Sequence, residues 1–257
     1  MEFMEGKKSL PLTYDPFFKK IFNPDIYPER LSRLISSIIG TNVTVKYILS
    51  NEYSMLPSTS LLLLDIIVQL EDGSIANVEI QKNPYTFPGE RMSCYSADLL
   101  LRQYTRVKSK LGKDFTYKDM RTVYTIVMYE KSPNECLKDR FANIYLHHGK
   151  TIFDTDVNLN LLQEYYIVNL DVFKNSKYAK DINELNAWLS LLTTDSTDNL
   201  ATLISNYPWM ESICQDISEY LYRPEEVISM FSKALKKMDE NTVNFMIEQM
   251  KKALEEK

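Results

Sequence analysis

The sequence predicts an α/β fold, a β-sheet core flanked by helices with a C-terminal region that is all helical, on three observations. Residues 61–81, LLLLDIIVQLEDGSIANVEIQ, hold two apolar runs joined at Glu71-Asp72-Gly73, the pattern of a hairpin whose first strand is covered on both faces. A long helical pattern over residues 89–110 precedes an alternating segment rich in branched and aromatic residues at 121–130. From Asp171 onward every periodicity is helical. The expected division is a core over residues 1–175 and an acidic helical region over 176–257.

Thr13-Tyr14-Asp15-Pro16 reads as a helix start, with Asp15 as cap and Pro16 at the first helical position, where its missing N–H costs nothing. Phe18 and Phe22, four apart, face the core, with Lys19 beside them. Asn23-Pro24 breaks that helix and Pro28 opens the next. There Leu31, Leu34, Ile35, Ile38 and Ile39 share a side, Glu29 sits in the first turn and Gly40 ends the run. Residues 44–53 read as the first strand.

The hairpin follows, and its register is set by its turn. A two-residue turn at Asp72-Gly73 would pair residues summing to 145 and put Asp65 opposite Ile80. A three-residue loop ending with Gly73 in the left-handed region makes paired numbers sum to 144 and sets Asp65 opposite Glu79. The second register also sorts the faces. Leu62, Leu64, Ile66, Val68, Leu70, Ala76, Val78 and Ile80 share one side, and Asp65, Gln69, Asn77, Glu79 and Gln81 share the other. Opposed Cβ atoms lie roughly 4.5 to 5.5 Å apart, so two partly buried carboxylates repel unless one is protonated or a cation sits between them. Carboxylate oxygens with room for water suit Mg²⁺. The competing reading makes Asp65 and Glu79 hydrogen-bonded structural acids or residues near an open sheet edge.

Along the helix of residues 89–110, Arg91, Tyr95, Asp98, Arg102 and Arg106 form one polar stripe, and Met92, Leu99, Leu100, Leu101, Val107 and Leu111 spread over much of the rest. Arginines and a tyrosine so aligned can hold phosphates; a solvated face with Asp98 paired to Arg102 is the alternative. Residues 121–130, 141–148 and 164–170 read as strands. His147 and His148 are the only histidines, too few for a nucleophilic triad or a His-rich zinc site. Helical patterns from residue 171 to the C-terminus read as packing and as a surface for a homo-oligomer or protein partner.

With 44% hydrophobic and 25% charged residues the composition is that of a globular protein. No apolar run approaches the roughly 18 residues of a membrane span. The first ten residues lack the hydrophobic core of a signal peptide, and Cys94, Cys136 and Cys214 lack metal-site spacing, so a reduced, cytoplasmic protein is expected. Residues 1–150 hold 20 Lys+Arg against 17 Asp+Glu, and residues 151–257 hold 10 against 18. Nucleic acid, if bound, therefore meets the first half.

Asp65, a hairpin, then Glu79-Ile80-Gln81 resembles the PD-(D/E)XK nuclease superfamily, with Gln81 where Lys is usual. The match is to its recombination-promoting nuclease, or transposase, branch. TYDPFFKKIF at 13–22, LLLLDI at 61–66, NVEIQ at 77–81, Arg91 with Tyr95, and residues 112–117 carry it. The resemblance implies a restriction-endonuclease-like mixed sheet and a Mg²⁺-dependent endonuclease of DNA, double-stranded by expectation. It implies Asp65, Glu79 and the Ile80 carbonyl as metal ligands, and Gln81 orienting the water or a phosphate oxygen. Arg91, Tyr95 and Arg102 would contact DNA. Asp15 and Lys19 would border the site, with Lys19 supplying the charge Gln81 lacks, and Glu29 would lie near the metal. A decayed nuclease scaffold serving as a protein-interaction module is the alternative, and RNA processing shares the same chemistry.

Overall fold

The computed structural model describes residues 12–49, 66–82, 87–138, 143–155, 157–221 and 223. A six-stranded mixed sheet carries the fold. Its strands are β1 (Val45–Ile48), β2 (Ile66–Leu70), β3 (Ile75–Gln81), β4 (Val123–Tyr129), β5 (Leu146–Lys150) and β6 (Gln163–Asn169), in the spatial order β1-β2-β3-β4-β6-β5. β1 to β3 are antiparallel neighbours, β3, β4 and β6 run parallel, and β5 returns antiparallel along β6. Parallel pairing of β3 with β4 needs a crossover, supplied by the long helix α3 (Pro88–Leu111).

The hairpin has the 144 register. Ile66 pairs with Val78, Ile67 with Asn77, Val68 with Ala76 and Gln69 with Ile75. Gly73, at φ +90°, donates its N–H to the Leu70 carbonyl at 3.0 Å, and Leu70 N–H reaches the Ser74 carbonyl at 2.9 Å. The Asp72 carboxylate accepts from both Ser74 N–H and Ser74 Oγ, at 2.9 and 2.8 Å, and so fixes the loop from inside. Asp65 lies outside the described residues, one position before β2 begins. At Gly73 an added Cβ would meet only side-chain atoms, Arg121 Cγ at 3.4 Å and Gln69 Nε2 at 3.9 Å, both in ordinary contact, so the penalty there is one of backbone conformation. Gly73→Ala should therefore cost about 1–2 kcal/mol, read as a lower urea midpoint at unchanged slope.

The two faces of the sheet are covered by different material. Ile66, Val68, Leu70, Ala76, Val78 and Ile80 pack with helices α1 (Asp15–Ile21) and α2 (Pro28–Ile39) in one large hydrophobic cluster. Trp188, Leu191, Leu203 and Ile217, from α5 (Glu184–Thr193), α6 (Thr197–Asn206) and α7 (Glu211–Leu221), belong to the same cluster. The expected division at residues 175/176 falls just after α4 (Leu170–Asn175), and the hydrophobic cluster runs across it. An ion pair from buried Arg30 on α2 to the partly exposed Asp216 on α7 links the two halves. The opposite face carries Ile67, Ile75, Val123 and Val127, under Tyr95, Leu99 and Met92 of α3.

Some element boundaries differ from the sequence reading. α1 begins at Asp15, and its cap is Tyr14, whose carbonyl accepts from Phe17 and Phe18 N–H at 2.9 Å. The strand expected at 141–148 is Leu146–Lys150, because antiparallel pairing of Gly149 with Tyr165 and Lys150 with Glu164 recruits residues of low strand propensity. The strand expected at 44–53 is described as Val45–Ile48, with residues 50–53 outside the described set. The helical patterns expected beyond residue 223 also lie outside it.

Candidate active site

Because side chains alternate along a strand, the odd residues of β3 all point toward α3. Three of them are polar and buried: Asn77, Glu79 and Gln81 are 0%, 3% and 7% exposed. Parallel register sets Thr125, Val127 and Tyr129 of β4 beside them in that order. The floor beneath α3 is thus a polar patch continuing into an apolar one.

This floor decides how α3 sits. The stripe of Arg91, Tyr95, Asp98 and Arg102 turns onto the sheet instead of into solvent, and Leu101 on the far side is exposed. A polar sheet patch buried under a helix requires polar partners on that helix, which overrides the usual apolar-inward rule. Arg102 Nη2 lies 2.6 Å from Asp98 Oδ2, so the i,i+4 pair forms, but buried. A phosphate could reach Arg102 only by displacing that pair.

Around Glu79 the geometry is close. Gln81 Nε2 donates to Glu79 Oε1, and Arg91 Nη2 stands 4.0 Å from the same oxygen. The Arg91 guanidinium lies 5.1 Å from the Tyr95 ring centre, which steers it toward Glu79. Arg91, at the N-terminal end of α3, remains partly exposed, and Glu79 and Gln81 lie toward the C-terminal end of β3 beside it. Tyr129, fully buried, has its hydroxyl pushed far above the ordinary range by burial first and by the Glu79 charge second, and stays a neutral phenol.

Each remaining site residue has a definite place. Lys19 is half-buried on α1, which packs on the other sheet face but contacts β3. Thr13, just before α1, donates to Glu130, whose own N–H bonds the Gln81 carbonyl at 2.8 Å. α1 therefore starts at the strand ends where Gln81 lies. Asp15 is the first residue of α1, and its side chain is outside the described set. Glu29 is exposed on α2, which packs on the opposite face, and the fold does not bring it toward Glu79. An acid in a first helical turn is favoured locally whatever the site requires, which explains Glu29 without a metal. Thr125 and Tyr129 were not singled out by the sequence, because only the β3–β4 register brings them beside Asn77 and Gln81. Neither Asn77 nor Thr125 has a side-chain hydrogen-bond partner among the described residues.

A hard divalent cation suits this chemistry. The Glu79 carboxylate and Gln81 Oε1, which accepts no hydrogen bond among the described residues, are oxygen donors, with no thiolate or imidazole among the residues described around them. Glu79 stands without a cluster of three or more His, Cys, Asp or Glu among the described residues. A complete ligand set would therefore draw on Asp65.

Residues 12–245 match the family model of the PD-(D/E)XK nuclease family transposases. The chain belongs to that family. No curated protein and no solved structure matches it significantly. As in a PD-(D/E)XK nuclease, the core is a restriction-endonuclease-like mixed sheet flanked by helices, and NVEIQ occupies β3 with Glu79 and Gln81 on one face. Family membership makes nuclease or transposase activity the expected function and DNA the substrate class. No helix among the described residues is long and apolar enough to cross a membrane.

Proposed function

We propose that this PD-(D/E)XK family member is a Mg²⁺-dependent endonuclease of double-stranded DNA, of the recombination-promoting type, acting in the cytoplasm. The observation that carries this reading is the burial of Glu79 among polar groups, with Gln81 and the partly exposed Arg91 around its carboxylate. The 144 register, continued one step past Ile66–Val78, would set Asp65 across from Glu79. Asp65, Glu79 and the Ile80 carbonyl would hold the metal. When bound, Mg²⁺ would polarise the scissile phosphate and lower the pKa of a water.

The chain's own groups do the rest. Gln81 keeps Glu79 aligned through its amide N–H while its Oε1 faces the pocket and accepts from the attacking water. Arg91, partly exposed beside Glu79, binds a phosphate oxygen, where a guanidinium can do so with two hydrogen bonds. Lys19 supplies positive charge from the α1 side, since the Gln81 amide carries none. A protein-interaction scaffold is the second reading. It is favoured by the Gln81 hydrogen bond, which satisfies one Glu79 oxygen within the protein.

Incubating supercoiled plasmid with the protein in Mg²⁺ or in EDTA tests the proposal: nicking in Mg²⁺ alone supports it, and intact plasmid over a wide range of protein concentration sinks it. Metal binding is read separately by melting. At ten times its dissociation constant Mg²⁺ stabilises the fold by about 1.4 kcal/mol, a shift of roughly 3 to 6 °C for a chain of this size. Asp65→Asn, by relieving repulsion with Glu79, should leave the metal-free protein at least as stable and remove most of the shift. A flat wild-type melting curve across millimolar Mg²⁺ would favour the scaffold reading.

A further inference from the structure

Toward the C-terminal end of α3, away from Glu79, lies a surface that the cleavage reading does not use. Tyr104 of α3 and Tyr117 in the turns after it are near-parallel, with ring centres 6.1 Å apart and planes 16° from parallel. Phe115 packs edge-on against both, at 5.4 and 5.5 Å. The cluster is poorly buried: Tyr117 is 77% exposed, so most of its ring lies in water. Its turn is held by a capping box in which the Asp119 carboxylate accepts from Thr116 N–H at 2.7 Å and Thr116 Oγ1 at 3.0 Å. Holding an aromatic ring in solvent forgoes its hydrophobic gain.

The charges around it point to one kind of partner. Residues 104–121 carry six Lys+Arg against two Asp, in a chain whose net charge is -5. Lys108, Lys110, Lys113 and Lys118 are exposed, and Lys108 donates to the Tyr104 hydroxyl at 2.8 Å while lying 5.1 Å from that ring's centre. One of the two acids, Asp119, is engaged in the capping box. Exposed aromatic rings among lysines match a polyanion that also presents flat π faces. In duplex DNA those faces are covered by neighbouring bases, so only an unpaired strand can offer them to Tyr117.

We propose that this patch docks a single-stranded DNA segment, with a base stacked on Tyr117 and phosphates passing over Lys108, Lys113 and Lys118. The proposal shares with the endonuclease reading only the class of polymer. Measured along α3 at about 1.5 Å per residue, Tyr104 lies roughly 20 Å from Arg91. At 100° per residue it also lies about 140° round the helix from Arg91, so the patch is a surface separate from the Glu79 site.

Fluorescence anisotropy of the full chain, in EDTA so that nothing is cleaved, tests this with a labelled single strand of roughly 15 nucleotides and its duplex. The single strand should bind more tightly than the duplex, and Tyr117→Ala should weaken it about ten- to hundredfold. Tyr117→Phe, which keeps the stack, should bind within about twofold of wild type. Lys113→Ala with Lys118→Ala should lower the slope of log affinity against log salt by about 1.4. Circular dichroism melts check that each variant folds. The proposal is overturned by equal duplex affinity, by a preference for the RNA strand of the same sequence, by a Tyr117→Ala variant that binds like wild type, or by a Tyr117→Phe variant as weak as the alanine. Failure here with plasmid nicking intact leaves the pocket reading standing. Strand binding without nicking leaves the patch standing and removes the pocket.

Discussion

Glu79→Ala should abolish Mg²⁺-dependent nicking, a loss of at least about a hundredfold, while the protein stays folded. The magnitude follows from the role proposed for the carboxylate: loss of a group that only supports a metal ligand typically costs 10–100-fold, and loss of a ligand costs more. The fold should survive because the change removes a buried charge and little apolar volume. It leaves Gln81 Nε2 and the partly exposed Arg91 without their Glu79 partner, where water can replace it. Asp65→Ala should behave in the same way. Gln81→Ala should slow cleavage and keep the Mg²⁺ melting shift, since the carboxylates remain. Wild-type nicking by purified Glu79→Ala would remove the assignment outright, because no other buried carboxylate among the described residues points from β3 into this pocket.

The hairpin was legible in the sequence because two independent constraints agreed there. Gly73 at the end of a three-residue loop and the alternation of Leu70, Val68 and Ile66 with Ala76 and Val78 demand the same register, and the described pairs have it. The direction in which α3 presents its stripe was less legible. Periodicity correctly put Arg91, Tyr95, Asp98 and Arg102 in a line but turned that line toward phosphates or solvent, whereas it lies on a sheet patch far away in sequence. Thr125 and Tyr129 stayed hidden for the same reason, since nothing local to β4 specifies its parallel register against β3. For β5 the local signal ended early. It covered Leu146 to His148 but stopped short of Gly149 and Lys150, which are strand because β6 pairs with them. The merging of α5 to α7 into the core of the first half depends on contacts such as Arg30 with Asp216, separated by most of the chain.

Arg102→Ala should destabilise the protein more than it affects any contact with DNA. Its side chain is 6% exposed and that of Asp98 3%, so removing the guanidinium takes a buried ion-pair partner from the Asp98 carboxylate beneath α3. Breaking a buried pair in this way typically costs about 3–5 kcal/mol, here a fall in melting temperature of roughly 6 to 20 °C. Replacing both partners, as in Asp98→Leu with Arg102→Leu, removes both buried charges and should recover most of that loss, because apolar groups of similar volume often match or exceed a buried ion pair. Arg91→Ala makes the contrast: at 4.0 Å from Glu79 and partly exposed, it should leave the melting temperature nearly unchanged and weaken DNA binding. The two effects separate cleanly in a pair of measurements. If Arg102 instead contacted a phosphate, Arg102→Ala would keep wild-type stability and reduce the salt slope of duplex binding by about 0.9. That outcome would require the Asp98–Arg102 pair to open when DNA arrives, and it would place α3's buried stripe among the DNA contacts.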